Sequence, residues 1–265
     1  MRFPRSPSSE PTPEPEPRAK PRNAWRAALV AALLCGSAGV GWWWGQAQAP
    51  QAVPKSGPQL KSAPHLPRFA SFAGEQPSPG VRHVADWALD SGDAGGRSFV
   101  IIDKQQARVW LFDPQGALVA QTPALIGAAV GDDSVPGIGE KPLSEIQHEE
   151  KTTPAGRFVA EPGVNTQGED IVWVSYDLAV SMHRVRAKVK AERRLERLAS
   201  EDPDDNRISF GCINLPVAFY EGSLLPAVRG TGAVVYVLPE TRSPQQQFGS
   251  YDVASRWRGT RTAPA

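Results

Sequence analysis

The chain is 265 residues long, and its 29 Lys and Arg nearly balance its 28 Asp and Glu, leaving a net charge of +1. A chain this close to neutral carries no electrostatic footprint for a polyanion, so no nucleic-acid partner is expected. With only two cysteines, Cys35 and Cys212, a disulfide-built scaffold is excluded as well.

Residues 1–26 open on "MRFPRSPSSEPTPEPEPRAKPRN", a Pro-rich charged stretch that cannot bury enough apolar surface to offset chain entropy. They read as a disordered cytoplasmic tail. From 27 to 45 the chain becomes "AALVAALLCGSAGVGWWWG", uncharged and close to the roughly 20 residues a helix needs to cross a hydrocarbon core. This predicts one transmembrane signal anchor, with Trp42, Trp43 and Trp44 at the far interface and Arg18, Lys20, Arg22 and Arg26 held on the cytoplasmic side. A cleaved signal peptide competes, because "AQA" at Ala47 to Ala49 has the form of a cleavage site; Pro50 directly after it and the long charged tail favour the uncleaved anchor. With Cys35 in the membrane, Cys212 has no disulfide partner in the rest of the chain.

Residues 46–96 are rich in Pro, Ala, Ser and Gln and read as a linker. Near its end "VRHVADWALDSG" sets Val81, Val84, Ala85 and Ala88 on one stripe before a glycine stop, predicting a short helix on the domain edge. A globular domain is expected over 97–240. "SFVIID", "ARVWLFD", "ALVAQTPAL", "GRFVAEPG", "DIVWVSY", "LAVSMH" and "GAVVYVLPE" are β-branched and aromatic runs, with "DPQG" supplying an early turn. So many strands predict a mostly β fold, a largely antiparallel sandwich or open barrel. Two segments interrupt it. Residues 127–156 form a Gly- and Pro-rich loop of a length usually tied to function or motion. Residues 184–206 begin as a charged helix former and end in an acidic turn, so a helical insertion is expected, either a solvated surface helix, or a lid or docking surface for another molecule. Residues 241–265 are left as a C-terminal tail.

Cys212 in "ISFGCINLP" is the residue that raises a chemical question. A lone cysteine is as often a small buried apolar residue as a nucleophile. Nucleophilic use needs a thiolate, and hence a nearby cation, imidazolium or set of N–H dipoles. Of the histidines, His65 lies in the linker, His83 on the edge helix, and His148 in "SEIQHEE" without metal-ligand spacing. His183 ends the strand-like "LAVSMH". If the insertion after it loops out, His183 and the turn before Cys212 become neighbours and form a Cys–His pair; otherwise His183 merely satisfies a loop backbone group. Gly211 allows a close turn in which the N–H groups of Phe210, Gly211 and Cys212 could converge as an oxyanion hole.

The order "SFVIIDKQQARVWLFDPQGALV", "TTPAGRF", "SMHRV", "ISFGCINLP" and "GAVVYVLP" resembles the L,D-transpeptidase (YkuD-like) catalytic domain family, over roughly Arg97 to Glu240. The family signature is an upstream histidine, then Ser or Thr, His, Gly, Cys, a hydrophobic residue, and Asn or Arg. Here the matching residues are His183, Ser209, Phe210, Gly211, Cys212, Ile213 and Asn214. The resemblance implies that Cys212 is the nucleophile and His183 its base, oriented by the Arg184 carbonyl, with Ser209, Gly211 and Asn214 shaping the cysteine turn. It implies an L,D-transpeptidase-like β-sandwich or open barrel whose partners are peptidoglycan stem peptides and, as a possible acceptor, a lipoprotein lysine. No metal or organic cofactor is implied. Combined with the anchor, it places a single-pass protein in the inner membrane with its catalytic domain in the periplasm. Two departures stand out: a longer spacer after His183, and Phe210 where the family has its second histidine. A hydrolytic relative, a wall-binding domain weakened by Phe210, and a structural envelope protein are the competing readings.

Overall fold

The computed structural model describes residues 66–262. The transmembrane helix expected at 27–45 and the tail before it lie outside the described residues. Among the described residues no helix is long and apolar enough to cross a membrane.

Ten strands form the body: β1 (Phe99–Asp103), β2 (Arg108–Phe112), β3 (Leu118–Pro123), β4 (Ile126–Gly127), β5 (Gly156–Val164), β6 (Asp170–Ser175), β7 (Val180–Arg184), β8 (Arg207–Ser209), β9 (Ile213–Leu215) and β10 (Ala233–Val237). Eight of them make one sheet in the order β3-β2-β1-β10-β5-β6-β7-β9, and β4 pairs with β8 beside it. Within the large sheet β1–β10 and β7–β9 run parallel and the other neighbours antiparallel. The chain just past β3 then meets the opposite edge: Leu125 and Asn214 of β9 exchange both backbone hydrogen bonds, at 2.8 and 2.9 Å. The sheet is therefore nearly closed, a mostly β architecture of the barrel kind.

The inner faces explain the alternation in the sequence. Val109 and Leu111 of β2, Val172 and Val174 of β6, Met182 of β7 and Ile213 and Leu215 of β9 converge on one core. A helical stretch, Val217–Phe219 continuing through a π-turn at Tyr220–Leu224 into Leu225–Val228, supplies Phe219, Tyr220, Leu224 and Val228 to it. β1 and β10 are buried along their whole length. Their outward residues, Phe99, Ile101, Val234 and Tyr236, join Trp110 and Phe112 under helix α1 (Pro79–Ser91). Burial on both faces is why these two strands read as unbroken apolar runs.

Helix α1 starts at Ser78, whose hydroxyl accepts from the Val81 N–H, has Pro79 in its first turn, and stops at Gly92 in the left-handed region. Its stripe of Val81, Val84, Ala85 and Ala88 is fully buried, each valine contributing about 1.5–3 kcal/mol. The segment expected to be linker up to 96 thus packs as part of the body from Ser71, which pairs with Ala117, and Phe72, which edges against Phe112 at 5.4 Å. The expected C-terminal tail also docks: Pro244–Phe248 is helical, Phe248 stacks on Trp87 at 6.3 Å, and His83 bonds the buried Ser250 at 2.8 Å.

The helical insertion is shorter than its composition predicts. Residues 185–189 are not helical, Lys190–Glu192 is a single 3-10 turn, and only Arg194–Ala199, here α2, is α-helix. Tertiary contacts override propensity here. The Arg184 guanidinium is held by Asp170 (2.8 Å) and Glu221 (2.7 Å) and lies over the Tyr220 ring, while the Val185 N–H extends the ladder to the Leu215 carbonyl at 2.8 Å. The chain leaves β7 extended to residue 189, and α2 starts only after Arg193, which sits in the left-handed region with φ 50°.

Candidate active site

Three neighbouring elements bring the candidate residues together. His183 lies on β7 directly beside Asn214 of β9, and Cys212 precedes β9, so the parallel pairing that was not visible in the sequence places imidazole and thiol side by side. Period-2 alternation does the rest: Val180 and Met182 of β7 point to the core, while Ser181 and His183 share the other face.

The ring orientation is determined by one bond. His183 Nδ1 lies 2.8 Å from the Arg184 carbonyl, which can only accept, so Nδ1 carries hydrogen and a neutral ring presents Nε2 as a bare acceptor. The His183 imidazole lies near enough to the Cys212 thiol for each to shift the other's titration. The sulfur also lies 3.6 Å from the Ser181 hydroxyl and 3.5 Å from the Ala179 carbonyl. Burial pushes the Cys212 thiol up, but the His183 imidazole, by hydrogen bond and by charge, and then Ser181 outweigh it and hold the thiol below its ordinary value. For His183 burial pulls down, and the bond to Cys212, the thiolate charge and the Arg184 carbonyl prevail, so the imidazole is raised. Both directions favour a thiolate–imidazolium pair. Cys212 is half-buried, not sealed in the core.

The turn that carries the sulfur is braced from every side. Gly211 donates its N–H to Ser209 Oγ (3.0 Å), and that hydroxyl donates to the Cys212 carbonyl (2.6 Å). Asn214 Nδ2 reaches the same carbonyl at 3.3 Å. Thr153 Oγ1 donates to the Gly211 carbonyl at 2.9 Å while accepting from the Gly127 N–H at 2.8 Å, tying the 127–156 loop to the turn. Gly211 sits at φ +129°, and a Cβ there would lie 2.7 Å from the Thr152 carbonyl oxygen. Its N–H is spent on Ser209, so Gly211 drops out of the three N–H groups expected to converge.

Phe210 is 42 % exposed, with the Lys151 ammonium 4.3 Å from its ring centroid. Arg184 does double duty: its carbonyl orients His183 and its guanidinium pins β7 to Asp170 and Glu221. His83 and His148 lie elsewhere, on α1 and in a 3-10 turn, and no cluster that could hold a metal occurs among the described residues.

Sequence reasoning missed three residues of this site. Ser181 was findable, since the alternation in "VSMH" puts it on the face of His183. Thr153 lies inside the quoted "TTPAG". Arg194 of α2 gives no local signal, yet its Nη1 bonds Asn214 Oδ1 at 2.7 Å and so fixes which end of the amide faces Cys212.

No family model and no curated protein matches the chain. Among solved structures the chain is similar to the catalytic domain of an L,D-transpeptidase from E. faecium, with 16 % identity over 54 % of this chain and 98 % of that one and a TM-score of 0.31. A superposition that loose decides nothing about the chemistry.

Proposed function

We propose that the chain is a peptidoglycan L,D-transpeptidase working through a cysteine acyl-enzyme. The observation that carries this reading is the His183 ring, locked by the Arg184 carbonyl so that its free nitrogen serves a half-buried thiol whose pKa is lowered. The Cys212 thiolate attacks the carbonyl at the L-centre of diaminopimelate in a donor tetrapeptide. The tetrahedral oxyanion is met by the Phe210 and Cys212 N–H groups. Its collapse breaks the bond to D-Ala, whose amine takes the proton from the His183 imidazolium, leaving a thioester and neutral imidazole. An acceptor amine, from another stem or a lipoprotein lysine, attacks the thioester. It gives its proton to His183, and Cys212 departs as thiolate.

The resemblance quoted on "SMHRV" and "ISFGCINLP" supports the substrate class, and the anchor expected at 27–45 supports a periplasmic placement at the inner membrane. Phe210 leaves the backbone donor in place and removes only a side-chain hydrogen bond. The test is the intact mass of wild type and Cys212→Ala after incubation with a carbapenem, followed by product analysis with stem tetrapeptides. An adduct confined to wild type and a crosslinked product are expected. Free peptide without crosslinks would assign the hydrolytic alternative; no adduct at all would leave a wall-binding or structural domain.

A further inference from the structure

The sheet face that bears Cys212 and Ser181 continues across two further strands. Ser181 of β7 is paired with Trp173 of β6, and Trp173 with Glu161 of β5. Residues directly opposite on antiparallel strands project from the same face, so Cys212, Ser181, Trp173 and Glu161 form one cross-strand row. The Trp173 indole leans along this row over Gly163, where a Cβ would meet its Cδ1 at 2.5 Å and its Nε1 at 2.8 Å. A side chain at 163 would lift the ring; glycine lets it lie down on the strand. Tyr176 stands edge-on to it at 5.1 Å and is 76 % exposed. The turn that holds Tyr176 ends at Ala179, whose carbonyl takes the bond from the Cys212 sulfur. Glu161 is exposed, and its carboxylate makes no hydrogen bond or ion pair among the described residues.

We propose that Trp173, with Tyr176 and Glu161, is a glycan subsite: the indole stacks on a pyranose ring of the strand that bears the stem peptide while Cys212 engages the scissile carbonyl. This rests on the acyl-donor reading above. A flat, part-exposed ring flanked by an unpartnered carboxylate suits a ligand with apolar ring faces and a rim of hydroxyl donors. An alkyl side chain would instead need walls. The spacing agrees. From Cys212 to Trp173 is two strand spacings, about 10 Å, and the three residues left between the scissile bond of a tetrapeptide donor and its sugar span about 10 Å when extended.

The test compares Trp173→Ala with wild type on a disaccharide-tetrapeptide and on the same tetrapeptide without sugar. The variant is expected to lose about 3- to 10-fold in kcat/KM on the glycosylated donor, mostly through KM. The free peptide should be turned over as by wild type, and Trp173→Tyr should recover most of the loss. Carbapenem adduct formation at the wild-type rate shows that the nucleophile is undisturbed. Equal losses on both donors, or no loss on either, overturns the proposal. A second arm is independent of turnover. Cys212→Ala is titrated with the stem-free disaccharide, and binding lost on adding Trp173→Ala supports the subsite; no binding overturns it. Failure of transpeptidation is read separately, in the carbapenem and crosslink assays.

Discussion

Replacing Gly211 by Ala tests the bracing of the turn that carries Cys212. The added methyl enters at φ +129° and 2.7 Å from the Thr152 carbonyl oxygen. Thr152 has little room to retreat, because its hydroxyl bonds the Asp133 carbonyl at 2.9 Å and the Thr153 hydroxyl bonds Gly211 itself at 2.9 Å. Backbone strain of this kind costs about 1–3 kcal/mol. Overpacking against fixed atoms adds about 1–3 kcal/mol, so a total of about 2–6 kcal/mol is expected. At roughly 2–4 °C per kcal/mol for a body of this size, the melting temperature should fall by roughly 4–24 °C. Gly222→Ala is the control: it is helical, and a Cβ there meets nothing within 4 Å, so a change within about 1 kcal/mol is expected. Circular-dichroism melts of both variants give the stability, and intact mass after carbapenem treatment gives the reactivity. The turn cannot relax without moving the sulfur, so Gly211→Ala should acylate poorly even well below its melting temperature. A variant that melts within about 2 °C of wild type and acylates at its rate would show that the turn is not held as described.

Three further outcomes are expected. In His183→Ala the chief influence lowering the Cys212 pKa is gone and burial, which raises it, remains; the pH profile of iodoacetamide alkylation should move to higher pH, and an unmoved profile would refute the pair. Burial alone would raise Asp132, but bonds from the Thr241 hydroxyl, the Glu240 and Thr241 N–H groups and Lys104 hold it well below the usual carboxylate range. Its depressed pKa means a stabilisation that is complete above the unfolded value of about 3.9 and is lost as pH falls below it; urea melts should show that acid limb in wild type and a flatter one in Asp132→Asn. Arg194→Ala releases the Asn214 amide, and acylation is expected to slow by about tenfold, the equivalent of one charge-assisted hydrogen bond, with the melting temperature nearly unchanged. Arg194→Lys should restore part of the rate, and a rate equal to wild type in Arg194→Ala would remove α2 from the site.

What was legible in the sequence was local. The runs "FVIID" and "AVVYV" announced strands, and the stripe Val81, Val84, Ala85, Ala88 announced α1 to within two residues, since burial there follows simple periodicity. The Cys–His neighbourhood followed from supposing that residues 184–206 loop out. The register that delivers it, His183 beside Asn214, is a long-range parallel pairing with no local signature. The same distinction explains the overextended helix: "RVRAKVKAERRLERL" has helical composition, but Arg184 and Val185 are claimed by Asp170, Glu221 and Leu215. Arg194 could not be picked from six neighbouring arginines and lysines without knowing where Asn214 lay.

The position of the site on the barrel accounts for a costly feature next to it. Asn214 closes the seam with its backbone, through Leu125, and holds the Cys212 carbonyl with its side chain. β8, which leads into the turn that carries Cys212, has only three residues and pairs with the two-residue β4, too little ladder to hold a register by itself. Arg207 at its start bonds Glu240 Oε1, and the fully buried Lys104 ammonium lies 3.0 Å from Asp132 and 3.3 Å from Glu240. Glu240 also accepts from the Gly131 N–H at 3.0 Å, and Asp132 from the Glu240 N–H at 2.6 Å. Buried charges are a poor source of net stability, because desolvation offsets most of their attraction, but their bonds are directional and tolerate no slip. Here they join the end of β1, the loop after β4, the start of β8 and the chain after β10. The short strands on which the position of Cys212 depends are thereby set by charge geometry as well as by packing.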